Sequence, residues 1–376
     1  MNLLTISLGR HILEKGSREY MRMQMYATHF DAMHIVVLTR HTHGYVEAIH
    51  EGNLHIYPTH ARTRVQMLCA AFLISRRIIK ETPGSFTVSA QDPLEIGWLS
   101  YFISLTTRAL LHIQVHGDYF SSNAWVGTSL IRRLRRMFAL TLLRTAPRIR
   151  VVSERIKNSL VSRGVMAERI TVLPIRPELE AFLQVSYTPR IHGPYTFLYI
   201  GRLAPEKNIL RIVAAFTSLC QTYPIRLRIV GSGEELSSIE RFIRDHHVEE
   251  KVELIPWTTD VPLEMARADV FVLASLHEAY ALTLVEAMAA GLPIVTTDVG
   301  CVGEIVEDNV HALVVREAGV AVYASAMRRM IEEPLLRAHF SEANKRTAYT
   351  LAQMSPQTYT QLWAASILTG VSPVGK

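Results

Sequence analysis

The sequence predicts an α/β chain of two doubly wound, parallel-sheet domains. Short unbroken apolar runs recur along it, each ending in a polar or glycine-bearing stretch; such runs suit strands buried on both faces. Between them lie stretches with helical periodicity, several of which exit at glycine or proline. The alternation occurs twice, on either side of an aperiodic stretch from Pro174 to Pro194 that reads as a linker. With 376 residues, 49% apolar and 20% charged, two well-cored domains are expected. Their expected bounds are 1–185 and 186–355, with a last helix in 356–376 returning to the first domain.

The net charge of +6 favours anionic partners: nucleotides, nucleic acid or acidic lipid surfaces. Cys69, Cys220 and Cys301 are scattered and have no metal-ligand spacing, which points to a reducing, cytoplasmic setting. Met1 to Ser7 reads as a strand rather than a secretory leader. No apolar stretch reaches the length of a membrane span.

In the first domain, Leu3 to Ser7 forms a strand that runs into Gly9, a weak phosphate-loop signal. Ile35 to Thr39 is a second strand; the His41-Thr42-His43 stretch after it lacks a carboxylate or cysteine at metal-binding spacing. Val65 to Lys80 is helical, and Phe86 to Ala90 is a strand ending in the polar Gln91-Asp92. Leu110 to Val115 ends in His116-Gly117-Asp118. A histidine directly after a buried strand can exchange a proton or hydrogen-bond a sugar; a purely structural cap is an equal reading of this segment. Residues 127–150 carry Arg132, Arg133, Arg135, Arg136, Arg144, Arg148 and Arg150 among apolar residues and no acid. This is an amphipathic basic helix suited to an anionic membrane surface, or else an ordinary surface helix with solvated arginines. No aromatic stacking platform accompanies the arginines, which disfavours nucleic acid. Arg150 to Ser153, a helix from Glu154 to Arg163, and Ile170 to Leu173 complete the domain.

The second domain opens with Phe197 to Ile200, the loop Gly201 to Asn208 and a helix from Ile209 to Cys220. Arg202 and Lys207 in that loop are placed to clamp a diphosphate. Arg226 to Val230 ends in Gly231-Ser232-Gly233, which lacks the third glycine and the acidic partner of a dinucleotide fingerprint. That argues against a nicotinamide-dependent oxidoreductase. Val252 to Ile255 ends in Pro256-Trp257-Thr258, where Trp257 can face a flat base.

Residues 269–300 organise the whole chain. Val270 to Ala274 is a strand, Leu282 to Ala290 a helix stopped by Gly291 and Pro293, and Ile294 to Thr297 the next strand. The loop of this βαβ unit therefore lies at the carboxyl edge of the sheet, where open α/β folds bind ligands. Glu278 precedes the helix and Glu286 lies on its first turns. Between them the backbone N–H groups near Tyr280, Ala281 and Leu282 approach a helix N-terminus, a site for anions or hydroxyls. Taken alone, the two glutamates also fit a solvated loop charge and a helix-start acid.

From about 195 to 315 the pieces occur in a familiar order and spacing. They are Gly201-Arg202-Leu203 with Glu206-Lys207, Val230-Gly231-Ser232-Gly233, Ala268 to Val272, and Glu278 to Glu286 followed by Ala287 to Val295. This half resembles the retaining glycosyltransferases of family 4, which have the GT-B fold of two Rossmann-like domains facing each other across a cleft. In the first half only His116-Gly117-Asp118 and Val151 to Glu154 match the family's landmarks. The resemblance implies a metal-independent hexosyltransferase using a UDP- or GDP-sugar donor and a glycan or lipid-linked acceptor in cell-surface polysaccharide synthesis. It implies Arg202 and Lys207, with Gly201, at the donor diphosphate, Glu286 at the ribose and Glu278 at the transferred sugar. It further implies backbone groups of Tyr280, Ala281 and Leu282 on that sugar, and His116 by the reacting centre. The family commonly has glycines where this chain has Ala279 and Ala281, and adjacent glycines where it has Gly9-Arg10. Those departures keep open a catalytically silent nucleotide-sugar-binding or partner-binding protein.

Overall fold

The computed structural model describes residues 1–120, 129–185, 187 and 194–369. The chain divides into two compact units, Met1–Pro174 with Ser355–Lys376, and Ile175–Met354. In chain order the first unit holds β1 (Asn2–Ser7), α1 (Arg18–Ala27), β2 (Met33–Val37), β3 (Ile49–Glu51), β4 (Leu54–Pro58), α2 (Arg64–Glu81) and β5 (Phe86–Ala90). It continues with α3 (Glu95–Thr107), β6 (Leu110–Val115), α4 (Leu130–Thr145), β7 (Arg148–Val151), α5 (Glu154–Val161) and β8 (Ile170–Val172). Its sheet runs β3-β4-β2-β1-β5-β6-β7-β8, parallel except for the β3–β4 hairpin. The central strands β1, β2 and β5 are buried along their whole length, including the polar Thr5, His34, Thr87 and Ser89. Strand order reverses between β1 and β5.

The second unit holds α6 (Glu180–Leu183), β9 (Tyr195–Ile200), α7 (Ile209–Leu219), β10 (Ile225–Val230), α8 (Leu236–Asp245), β11 (Val252–Ile255) and α9 (Val261–Ala266). Then follow β12 (Val270–Leu273), α10 (Leu282–Ala290), β13 (Ile294–Thr297), β14 (Ala312–Val315), α11 (Val320–Glu332) and α12 (Pro334–Ala352). The sheet order is β11-β10-β9-β12-β13-β14, every pairing parallel. Right-handed crossovers in opposite directions from β9 put α7 and α10 on opposite faces. Residues 175–185 pack on this unit: α6 lies against α10 and α12, and Lys345 Nζ donates to the Val185 carbonyl (2.9 Å). Of the proline-bearing linker, residues 188–193 lie outside the described residues.

The last helix, α13 (Pro356–Leu368), packs on α1, β5 and β7 of the first unit. Trp363 stacks on Tyr26 at 4.2 Å between ring centroids and meets Phe30 edge-on. Arg150 of β7 is buried beneath it. Its guanidinium donates to the Leu173 carbonyl (2.9 Å), to Gln114 Oε1 (2.8 Å) and to the Tyr359 hydroxyl (2.8 Å). The 127–150 stretch is thus not one basic helix. Pro147 ends helical structure after α4, and Arg148 and Arg150 belong to β7, where Arg148 donates to the Ile367 carbonyl (2.6 Å). Arg144 donates to the Arg163 carbonyl. Arg132, Arg133, Arg135 and Arg136 remain on the outer turns of α4, and Gly127 and Thr128 lie outside the described residues.

Two buried histidines make the first unit acid-sensitive. His112 on β6 shares a hydrogen bond with Ser89 Oγ (2.9 Å), while its Nε2 has no partner. Burial, then the nearby Arg150 and Arg148, hold its pKa down at about 3. His34 on β2, buried against His55, is held down at about 4, mainly by burial. Below the free value near 6.5 the unfolded chain binds more protons at both positions, so stability falls as pH drops from 6.5 towards 4. Each histidine contributes a slope of about 1.4 kcal/mol per pH unit in that window. His116, held down at about 3, mainly by burial, adds a third such slope. Urea unfolding between pH 7 and 4.5 should show this loss, and His112→Gln should remove about a third of the slope that the three histidines share.

Candidate active site

In the second unit β9, β10 and β11 run to one side and β12, β13 and β14 to the other, so strand order reverses between β9 and β12. The loops leaving those two strands, 201–208 and 274–281, share the carboxyl edge at this switch point, where a crevice opens. They are tied together: the Leu276 amide donates to the Glu206 carbonyl (2.8 Å), and Lys207 Nζ donates to Glu278 Oε1 (2.5 Å), 71 residues along the chain. Both partners of that ion pair are mostly buried, with 19% and 14% of their side chains exposed.

Glu278 is held from below as well. Ser275, buried, donates its hydroxyl to the same Oε1 (2.8 Å), and the Thr297 hydroxyl of β13 fixes the Ser275 carbonyl (2.7 Å). Arg202 reaches outward, 70% exposed, and pairs with Glu206 (2.5 Å). The buried Tyr199 hydroxyl donates to the Arg202 carbonyl (2.9 Å). Burial raises the Tyr199 pKa, and Glu278 and Glu206 add to the rise, so it stays a neutral donor. Both cations that the sequence places here therefore have protein carboxylates as partners.

The N-terminus of α10 opens beside this cluster on the chain. Its cap residue, Ala281, sits in the left-handed region (φ 62, ψ 64), and no side chain caps the helix, which leaves the first N–H groups open, although the Leu284 amide donates to the Ala281 carbonyl (3.0 Å). A left-handed alanine costs roughly 1–2 kcal/mol. Gly300 (φ 60) lets its own loop close on the same spot, since a Cβ there would stand 2.6 Å from the Tyr280 carbonyl; that carbonyl accepts from the Cys301 amide (2.9 Å). The Tyr280 side chain is buried, so this residue offers the crevice its backbone only. Leu282 begins the helix. Glu286, one turn on, is half-buried and has no hydrogen bond or ion pair among the described residues; burial alone raises its pKa.

The glycines serve packing. A Cβ on Gly231 would lie 2.0 Å from the Gly201 carbonyl oxygen, and one on Gly233 2.2 Å from that of Leu203. The loops after β9 and β10 thus touch backbone to backbone, with the Leu203 amide donating to the Ser232 carbonyl (2.9 Å). Trp257 follows β11 at the same carboxyl edge and is 56% exposed. His116 is in the first unit, directly after β6; burial, then Arg150, holds its pKa down at about 3, so it is neutral at pH 7. Sequence reasoning missed Ser275 and Glu206, whose roles appear only once β12, β13 and the 201–208 loop are brought together. Among the described residues no three of His, Cys, Asp and Glu gather as a metal-ligand set, His41 and His43 included.

Two parallel-sheet α/β units, the second with an ion-paired loop cluster at its switch point, define the GT-B class. Residues 188–347 match the family model described as glycosyl transferases group 1, so the second unit is similar to that family. The glycogen synthase of Mycobacterium tuberculosis is 33% identical over 145 residues, which are 38% of this chain and 35% of that protein. The Escherichia coli UDP-Gal:alpha-D-GlcNAc-diphosphoundecaprenol alpha-1,3-galactosyltransferase is 24% identical over 234 residues, 59% of this chain and 60% of that one. These matches thus cover less than two thirds of either relative. The crystal structure of Anabaena Alr3699/HepE in complex with UDP-glucose aligns over 99% of this chain and 100% of that one, with TM-score 0.72 and 17% identity. At that identity the likeness shows the fold.

Proposed function

We propose that the protein is a retaining glycosyltransferase that moves a hexose from a UDP- or GDP-sugar to a glycan or lipid-linked acceptor, in cell-surface polysaccharide synthesis. The observation that carries this is Glu286: a half-buried carboxylate with no partner among the described residues, on the helix that follows the Glu278 loop. A ribose diol would supply the two donors it lacks. Arg202, Lys207 and the open N–H groups of α10 take the diphosphate, where negative charge grows as the sugar–phosphate bond breaks. Gly201 lets the backbone approach it, Trp257 stacks on the base, and Glu278 accepts from a sugar hydroxyl. Backbone groups of Tyr280, Ala281 and Leu282 meet the same sugar. The acceptor oxygen bonds to the anomeric carbon on the face the phosphate leaves, and its proton passes to a phosphate oxygen. His116 is assigned a hydrogen bond to substrate as a neutral imidazole.

The test is thermal stabilisation by UDP- and GDP-sugars without added metal. A donor at about 100 times its Kd should add roughly 2.7 kcal/mol, and Glu286→Ala and Arg202→Ala should abolish the shift. If no nucleotide sugar stabilises the wild type, the transferase reading fails. Stabilisation without turnover would favour the silent binding protein, for which the strained Ala281 is the supporting feature.

The relatives' lipid-linked acceptor and the arginines of α4 also support a place on the cytoplasmic membrane face. No helix among the described residues is long and apolar enough to cross a membrane, and the first turns of α4 expose Leu130, Ile131, Leu134, Met137 and Phe138 alongside Arg132, Arg133, Arg135 and Arg136. The wild type should pellet with anionic vesicles. Changing those four arginines to glutamate should abolish pelleting, and equal pelleting of both proteins removes the membrane reading.

A further inference from the structure

The first unit carries a groove that the nucleotide-sugar machinery above does not use, though Phe138 and Arg135 of its rim also belong to the outer face of α4. Leu94, Trp98, Leu99 and Phe102 on and before α3, with Leu68 of α2 and Phe138 of α4, line a groove of about 610 Å³. Its walls are hydrocarbon, and Phe102 and Phe138 remain 50% and 52% exposed. A surface helix ordinarily turns polar residues outward, and contiguous exposed apolar surface marks a binding site. From Leu94 to Phe102 the groove follows α3 for roughly 12 Å at 1.5 Å per residue. That shape suits a chain better than a ring. A sugar or base would also need polar partners, which those walls do not provide.

The polar end is placed and charged for a particular ligand. It begins at Leu94 and Glu95, just after the carboxyl end of β5, next to this unit's own β1/β5 switch point. Glu95 there is paired with Arg135 (2.8 Å) and approached by Arg64 (3.6 Å); Asp92 is the second carboxylate near Arg135, and burial holds its pKa up. Arg132, one turn before Arg135 on the same helix face, adds to the positive charge, and α4 contains no acidic residue. An apolar trough with a cationic mouth complements a hydrocarbon chain with an anionic head.

We infer that this groove holds the hydrocarbon chain of a lipid phosphate, with the chain along α3 and the phosphate at the Arg64–Arg135 mouth. The inference rests on the transferase reading and makes the acceptor an amphiphile whose chain is bound by the protein itself.

The experiment uses the full chain and a brominated dodecyl phosphate below its aggregation concentration, with tryptophan quenching as readout, because Trp98 lines the groove. Saturable quenching that Trp98→Phe removes is expected, and inorganic phosphate alone should not compete at equal concentration. Phe102→Ser with Phe138→Ser, both at half-exposed positions, should weaken binding about tenfold or more, and Arg64→Glu should weaken it further. No saturable quenching, or quenching unchanged in the double variant, overturns the proposal. So does quenching seen only with vesicles of brominated phosphatidylglycerol, which would make a bilayer surface the occupant. Thermal stabilisation by UDP-sugars, read on the same samples, keeps the two ideas apart. Alkyl phosphate binding without a nucleotide shift leaves the groove and removes the transferase; a nucleotide shift without alkyl phosphate binding does the reverse.

Discussion

Lys207→Ala is expected to lower kcat/KM by about three orders of magnitude, ~4 kcal/mol of transition-state stabilisation. Two losses combine. On the proposed function, the variant lacks the cation that meets charge on the leaving diphosphate. It also leaves Glu278, only 14% exposed and held by Ser275, as an uncompensated anion where the proposed diphosphate would bind. Glu278→Gln should behave differently. The neutral amide can still accept from Ser275 but no longer competes for Lys207, so UDP without a sugar should bind as well as or better than to wild type, while turnover falls. Titration calorimetry with UDP and initial-rate kinetics on both variants separate these effects. If Glu278→Gln lost UDP affinity as severely as Lys207→Ala, the partner exchange between Glu278 and the diphosphate would be wrong.

That exchange could not be read from the sequence, since it depends on two residues 71 positions apart. What could be read was local. The βαβ unit around Glu278 is legible because Val270 to Leu273 is an unbroken apolar run, because Ile294-Val295-Thr296-Thr297 restarts a β-branched one, and because Gly291 and Pro293 stop the helix between them; α10 spans Leu282–Ala290 as its pattern requires. The Gly-x-Gly at 231–233 gave no such insight. Its glycines answer to carbonyls of the neighbouring loop, which no spacing rule reveals.

Elements were missed for physical reasons too. α1 begins at a Ser17 cap whose hydroxyl accepts from the Tyr20 amide, but its Met- and Arg-rich body lacks a clear apolar stripe. The β3–β4 hairpin is short and edge-placed, turning at Gly52 (φ 57). α3 escapes because its outward face is apolar as well as its inward one: Trp98, Leu99 and Phe102 erase the polar half of the pattern. Sequence rules fail most usefully where a surface serves a ligand, and α3 lines the groove. The 127–150 stretch misled by composition, since one arginine-rich run covers both an exposed helix and a buried strand.

Arg150, the buried end of that run, leads to the second large effect. Arg150→Met should destabilise the first unit by about 3 kcal/mol or more. Arg150 is 3% exposed, and its hydrogen-bond partners among the described residues are neutral oxygens of Leu173, Pro174, Gln114 and Tyr359. Desolvating the cation is costly, and a methionine avoids that cost. It leaves the Leu173 carbonyl and Gln114 Oε1 with fewer donors in a dry core, however, and penalties of about 1–3 kcal/mol for each unsatisfied group outweigh the gain. Arg150→Lys should recover only part of the loss, because one ammonium cannot span the forked contacts. Since Tyr359 and Trp363 join the same network through Arg150 and Gln114, α13 should loosen first. Trp363 fluorescence and proteolysis near Ser355 should then report a transition at lower urea than the rest of the unit. Nucleotide binding at low temperature should persist, because Glu286, Lys207 and Arg202 all lie in the second unit. The His116 imidazole supplies an independent check: after burial, Arg150 is what depresses its pKa, so its NMR titration should move upward in Arg150→Met. A His116 pKa unchanged in that variant would mean that burial alone keeps the imidazole neutral, and the charge network under α13 would be structural only.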